Sequence, residues 1–426
     1  MRAIKGLSWV ILAATSAVPL GAQSACLFQD DYYEPVDIHP SVTFAENQER
    51  ILSWLGCDPK HPESCVVAEH QPRFVDNNRL RQHAWETFAA LTAPAKYKLA
   101  SSSGLVMPRW ITWYSNPEVV GTGDTRNKFL GLARSAQLAE GRAPDLKAEI
   151  RYNQPTCEEV RKSGLTTKAG MDAYRSSGKP VRLPDDSIAI KTSWLLIAGD
   201  ARTEIPVFDP QRASPSGSYN SENWRKVAVC PNNQLEGCSL APHRIYLEQF
   251  FFVPASFVKF DLPIPTVNGR ELNPAIDFLV LVAFHFTTRE IPNWVWGTFW
   301  WHDFPNSGPF AADRPTSGLE EPWTHYLMDV AYDMDFPRET SGEPKIAFNP
   351  YLEGALDNGS QANCVSCHSR AVWPLPRPRQ TLVGGSALTR PGQIVVRGSE
   401  AARTTYFPES QSSMFLDFIW SLSHPK

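Results

Sequence analysis

The sequence predicts an α+β protein, with a mixed or antiparallel-sheet body, flanking helices and a small helical segment at the C-terminus. Three observations predict it. The 426 residues include 36 Pro and 25 Gly, a density that interrupts the i→i−4 ladder too often for a helical bundle. Helical periodicity is nevertheless clear in two early stretches, 45–55 and 77–91. The uncharged run Phe278-Leu279-Val280-Leu281-Val282-Ala283-Phe284 reads as a strand buried on both faces. With 42% hydrophobic and 20% charged residues, the chain is apolar enough to fold, and its length suits about two to three domains.

Residues 1–25 read as a Sec-type signal peptide. Arg2 and Lys5 form a charged start, Leu7 to Leu20 an apolar stretch, and Gly21-Ala22-Gln23-Ser24-Ala25 a small-residue cleavage region. The apolar stretch is short for a bilayer span, and no later uncharged run reaches about 18 residues. The expectation is a periplasmic or secreted bacterial protein with no membrane span in the mature chain. An uncleaved anchor and a lipoprotein at Cys26 are alternatives, the latter opposed by Gln23 where a lipid-attachment site prefers Leu. The net charge of −4 argues against nucleic acid as a partner.

Export lets the eight cysteines form disulfides. Cys57/Cys65 and Cys230/Cys238 share a C-x7-C spacing in Pro-rich, loop-like surroundings and read as local staples. That leaves Cys26 and Cys157 to pair with each other, one of 15 connectivities that six cysteines allow.

In the body, 26–348, the 77–91 stretch places Leu80, Ala84, Phe88 and Leu91 on one helical face with Trp85 flanking. Short helices are expected at 156–162 and 168–175, and strands at 187–197, 226–230, 244–253 and 276–287. Four of the 14 Trp fall within residues 294–304. That segment reads either as a second core strand or as an aromatic wall for a flat partner. His285 ends the preceding strand beside Thr287, Thr288, Arg289 and Glu290.

The strongest motif is Cys364-Val365-Ser366-Cys367-His368, the C-x-x-C-H attachment signature of c-type haem. Thiols at i and i+3 fall on one side of a helical turn and can add to the two vinyl groups of one porphyrin. The adjacent His368 then reaches the iron. A zinc site would want a second ligand pair at short spacing, and a redox C-x-x-C would follow a buried strand; here a polar loop, 357–363, precedes it. One covalent haem c is expected, on Cys364, Cys367 and His368. For the sixth ligand Met414 is the first candidate, opening an apolar helix over 415–422 with Ser412 or Ser413 as its cap. His285 is the runner-up, ahead of His302, His325 and His424, and an open site is the remaining alternative. The 349–356 stretch is expected to be a helix of two turns, 374–392 a loop around the haem, and 393–396 a short strand. Residues 349–426 thus form a cytochrome-c-like haem segment too small to fold without the body.

Residues 356–426 carry seven basic side chains against four acidic ones. Arg370, Arg377 and Arg379 are candidates for contacts to the haem propionates. Basic residues there can also steer an acidic redox partner protein.

The chain resembles bacterial cytochrome-c-family proteins with a long non-haem N-terminal part. The blocks that carry the resemblance are Trp85-Glu86-Thr87-Phe88-Ala89-Ala90-Leu91, Lys191-Thr192-Ser193-Trp194, His285 through Phe299, Asn349-Pro350-Tyr351-Leu352-Glu353-Gly354 and Cys364 through Ala371. The resemblance implies covalent haem c, a periplasmic location and electron transfer, and no named substrate. A haem-dependent oxidoreductase of peroxidase or oxygenase type, with an open sixth site, is the alternative.

Overall fold

A computed structural model describes residue 26 and residues 33–38, 42–60, 76–98, 106–120, 130–134, 147–208, 224–232, 235, 238, 244–260, 264–291, 293–332, 347–353, 364–368, 371–375 and 413–423. The expected signal peptide, the 393–396 strand, most of the 374–392 loop, and Arg370, Arg377, Arg379 and His424 lie outside the described residues.

The protein is α+β. Its main sheet runs Val258–Phe260, Leu130–Arg134, Lys147–Tyr152, Ile188–Ile197, Phe278–Thr288, Val295–Trp301, Tyr326–Ala331 across its width, with two short strands paired off this path. All its pairings are antiparallel except Val258–Phe260 on Leu130–Arg134. The predicted two-sided strand is the central one, Phe278–Thr288, and Leu279 to Phe284 are fully buried. The tryptophan-rich segment is its neighbour, Val295–Trp301, buried throughout.

Two helices cover one face. Phe44–Trp54 starts with a capping box, in which Thr43 and Glu46 satisfy each other's backbone N–H groups. Asn77–Thr92 is capped by Asp76, whose carboxylate accepts from the Arg79 N–H at 3.1 Å. Leu80, Ala84, Trp85, Phe88 and Leu91 all face inward, at 0% exposure. Phe88 stacks on Phe299 at 3.9 Å between centroids, and Trp85 meets the same ring edge-on at 5.1 Å. Gly297 belongs to this packing: a Cβ there would lie 2.4 Å from the Phe286 ring.

The helices Gln154–Lys162 and Lys168–Ser176 flank the sheet as expected. Asn153 caps the first, and its Oδ1 also accepts from the Ile188 N–H at 2.9 Å, tying the helix start to the sheet. Cys26–Cys157 and Cys230–Cys238 are disulfides, which fits an exported protein. Cys57 is also disulfide-bonded, and its expected partner Cys65 lies outside the described residues. Among the described residues no helix is long and apolar enough to cross a membrane.

Three sequence expectations are corrected. The 244–253 strand is broken into Ile245–Tyr246 and Phe252–Pro254 by a 3₁₀ turn, Leu247–Gln249. Residues 349–353 are turns, with Asn349 accepting from the Leu352 and Glu353 N–H groups. The 415–422 helix does not form. Met414–Phe415 instead pairs with Val372–Trp373, and a 3₁₀ turn covers Trp420–Ser423. Asp417 and Phe418 between them both have positive φ, 46° and 69°, which a right-handed helix does not accommodate. Their conformation is held from outside. Asp417 accepts from the Leu183 N–H at 2.8 Å, Arg289 Nε at 2.9 Å and Trp294 Nε1 at 3.2 Å.

Candidate functional site

The face of the sheet opposite the two N-terminal helices carries charge. Direct pairing puts Ile150, Lys191, His285, Thr298 and Asp329 in one row across five strands. Paired residues, and every second residue along a strand, share a face. The neighbouring rows therefore bring Ser193, Ala283 and Trp300 to one side of His285, and Ala189, Thr287 and Trp296 to the other.

The motif segment and the 347–353 turn pack on this face. Asn349 Nδ2 donates to Thr298 Oγ1 at 2.9 Å. Glu353 Oε2 lies 3.6 Å from His285 Nε2 and accepts from the Asn349 N–H at 2.5 Å. The motif forms a single helical turn, Cys364–His368. Val365 is buried in a cluster with Trp296, Ala331, Ala347, Leu416 and Phe418. Cys364 is a half-buried thiol rather than half of a disulfide, and its Sγ lies 3.5 Å from the Ala347 carbonyl. Cys367 follows in the same turn.

His368 is held from two sides. Its ring lies 4.4 Å from that of Trp296. Its Nδ1 donates to the Phe418 carbonyl at 2.8 Å; because a carbonyl only accepts, Nδ1 carries the proton. The lone pair is then on Nε2, which has no hydrogen-bond partner among the described residues. A metal-binding imidazole is oriented in this way, one nitrogen fixed by a carbonyl and the other presented. Burial pulls its pKa down to about 4, with the Phe418 carbonyl opposing and Lys191 adding to the fall. The ring is therefore neutral near pH 7, the state that ligation requires. The residues present thus fit a haem-ligating role.

Burial also holds His285 well below its ordinary range, and Lys191 and His368 push it the same way. Burial raises Glu353 to about 7, against the opposing pull of Lys191 and the Asn349 N–H.

The other sequence candidates fall in different places. Met414 is buried opposite Trp373 in the short ladder, and it is Phe418, four residues on, whose carbonyl reaches His368. His302 lies beyond the end of the Val295–Trp301 strand; its N–H donates to the His325 carbonyl and its Nδ1 accepts from the Phe304 N–H at 2.9 Å. His325 Nε2 lies 3.3 Å from Glu321. Nothing in the local sequence assigns a role to Lys191, Glu353, Ser193 or the Phe418 carbonyl. The available signal was a Lys and a His interrupting two otherwise apolar strands, Ile188–Ile197 and Phe278–Thr288.

No protein-family model, curated protein or solved structure matches the chain.

Proposed function

We propose that this protein is an exported monohaem c-type cytochrome that transfers electrons in a periplasmic redox system. The supporting observation is the state of His368 within its C-x-x-C-H turn: Nδ1 donating to the Phe418 carbonyl, Nε2 presented, and the ring neutral. Cys364 and Cys367 would hold the porphyrin covalently, and Trp296 and Phe418 fix the plane of the imidazole. The bound group would supply a one-electron Fe(III)/Fe(II) couple. His368 is half-buried beside Trp296, with Nε2 left to present to a ligand. Met414 is the proposed sixth ligand, and His285 takes that place if Met414 is only a core residue. Arg370, Arg377 and Arg379 are proposed for the propionates, and an acidic redox protein as partner.

The test is expression of the full chain in a host that attaches haem c during export. Denaturing electrophoresis with haem staining, and optical spectra with and without CO, are then recorded. One covalent haem with a low-spin, CO-resistant spectrum is expected, and His368→Ala and Cys367→Ala should each lose stable haem. A chain exported under these conditions without covalent haem overturns the reading. A haem that binds CO at once moves the protein to the oxidoreductase alternative. Met414→Ala should then remove the near-infrared charge-transfer band of a Met–Fe(III) pair, or, if Met414 is core alone, cost about 2–5 kcal/mol with the spectrum intact.

A further inference from the structure

We propose that Asp417, held by Arg289 and Trp294, is a positioning residue for His368. It sets the Phe418 carbonyl, which fixes the tautomer and the ring plane of the histidine and so tunes the iron that the ring would ligate. The consequence for the iron rests on the haem reading above. The observation is an uncommon backbone at two adjacent residues: Asp417 and Phe418 have φ of 46° and 69°. Asp enters this left-handed region at modest cost, but a bulky aromatic residue there is an outlier that surrounding contacts must hold. The polar contacts are on the Asp417 side. Its Oδ2 accepts from Arg289 Nε at 2.9 Å and from the Leu183 N–H at 2.8 Å, and its Oδ1 accepts from Trp294 Nε1 at 3.2 Å. Asp417, Arg289 and Trp294 are all buried, so these bonds to a carboxylate act with little competition from water.

Both side-chain donors come from the connection between the Phe278–Thr288 and Val295–Trp301 strands. That connection is itself fixed. The Arg289 N–H donates to the Ser187 carbonyl at 3.0 Å, the Trp294 N–H to the Ile291 carbonyl at 2.9 Å, and Trp296 Nε1 to the Asn293 carbonyl at 2.9 Å. Two residues after Trp294, the Trp296 ring lies 4.4 Å from His368 and 6.1 Å from Phe418. One hairpin thus reaches the imidazole twice. Trp296 touches the ring directly, and Asp417 acts through the Phe418 carbonyl, which accepts from His368 Nδ1 at 2.8 Å. A carbonyl accepting from a ligating imidazole raises the basicity of the ligand, and a more basic ligand favours Fe(III). If the 417–418 backbone relaxes to the right-handed region, the carbonyl turns away and releases both the tautomer and the ring plane. The segment has other ties: the Leu416 N–H donates to the Ala371 carbonyl at 2.9 Å, and the Tyr152 hydroxyl pairs with Ser421. A conservative change at Asp417 can therefore move the carbonyl with 413–423 still docked.

The experiment uses the full exported chain with its haem, as wild type, Asp417→Asn, Trp294→Phe and Asp185→Asn. Asp185 pairs with the other end of Arg289, so its substitution removes the same charge and leaves Asp417 in place. Proton NMR of the oxidised protein reads the haem methyl shifts, which report the plane of the axial imidazole, and the reduction potential is measured on the same samples. Limited proteolysis checks that 413–423 stays docked. Asp417→Asn and Trp294→Phe should rearrange the methyl shifts and raise the potential, while Asp185→Asn keeps the wild-type methyl pattern. An unchanged pattern in Asp417→Asn and Trp294→Phe, with the segment docked, would make Asp417 an anchor only and overturn the proposal. The same rearrangement in Asp185→Asn would show that charge alone acts, which also overturns it. If Asp417→Asn frees the segment, Trp294→Phe decides. A chain that carries no haem fails the functional reading separately, and nitrogen-15 NMR of labelled histidine in that full chain then decides the positioning. His368 should hold its proton on Nδ1 at neutral pH in wild type and lose that preference in Asp417→Asn and Trp294→Phe; an unchanged tautomer overturns the proposal.

Discussion

Glu353 shows how burial sets the chemistry of a single side chain on the charged face. Its carboxyl is raised to about 7, above the ordinary 4.5, chiefly by desolvation. The folded chain therefore keeps a proton that the unfolded chain releases between these two values. Stability is fullest below about pH 4.5 and is lost as pH rises through 7. The free energy involved is at most about 3 kcal/mol, reduced to about 1–2 because its side chain is 21% exposed. Glu353→Gln keeps an acceptor for the Asn349 N–H and carries no charge at any pH. Urea unfolding should find the variant more stable than wild type by about 1–2 kcal/mol at pH 8 and equal to it at pH 4.5. Equal stability at both values would mean that the carboxyl is hydrated in the folded protein.

Elements here are joined by a few specific contacts, and two of them give measurable consequences. The 413–423 segment is held to the body through Asp417, which gathers Arg289, Trp294 and the Leu183 N–H. Arg289 also pairs with Asp185, and Tyr152 hydrogen-bonds Ser421. Removing the Asp417 carboxylate leaves a buried guanidinium without its buried partner, a loss of about 3–5 kcal/mol. Asp417→Ala should therefore release 413–423 to limited proteolysis before the rest of the chain, and Asp417→Asn, which tolerates positive φ, should do so less. If cleavage in both variants begins in the body, Asp417 is not the link. On the opposite face, the Asn77–Thr92 helix depends on Phe88, set between Phe299 and Phe284. Phe88→Ala should cost about 3–5 kcal/mol in denaturant unfolding, and a loss under 1 kcal/mol would show that the site collapses around the gap.

At the scale of the whole molecule, Cys26–Cys157 closes a loop of 131 residues in sequence separation. The chain-entropy relation gives about 5 kcal/mol for such a loop, and observed values commonly fall at about 2–5. Replacing both cysteines with Ala should lower stability by that amount, whereas replacing Cys230 and Cys238, eight residues apart, should cost less. Thermal unfolding of the two double variants decides it; an equal loss would show that loop length is not what stabilises this fold.

Local patterning was enough to place the elements whose stability is local or two-sided. The Asn77–Thr92 helix shows in the spacing of Leu80, Ala84, Phe88 and Leu91, and the central strand in its unbroken apolar run, because 3.6- and 2-residue periods record burial directly. The C-x-x-C-H motif was legible for the same reason: its three residues lie within one turn. What the sequence could not specify is long-range. An apolar stretch at 415–422 reads as a helix until Arg289, 128 positions from Asp417, captures that carboxylate and the backbone turns left-handed. Lys191, His285 and Glu353 become neighbours only when strand register and the 347–353 turn bring them together. Sequence alone determined the α+β class, the Cys230–Cys238 staple and the candidate ligand His368, and it reached Cys26–Cys157 only by elimination. Tertiary structure alone decided which nitrogen of that histidine is presented, because the carbonyl that fixes it lies 50 residues away.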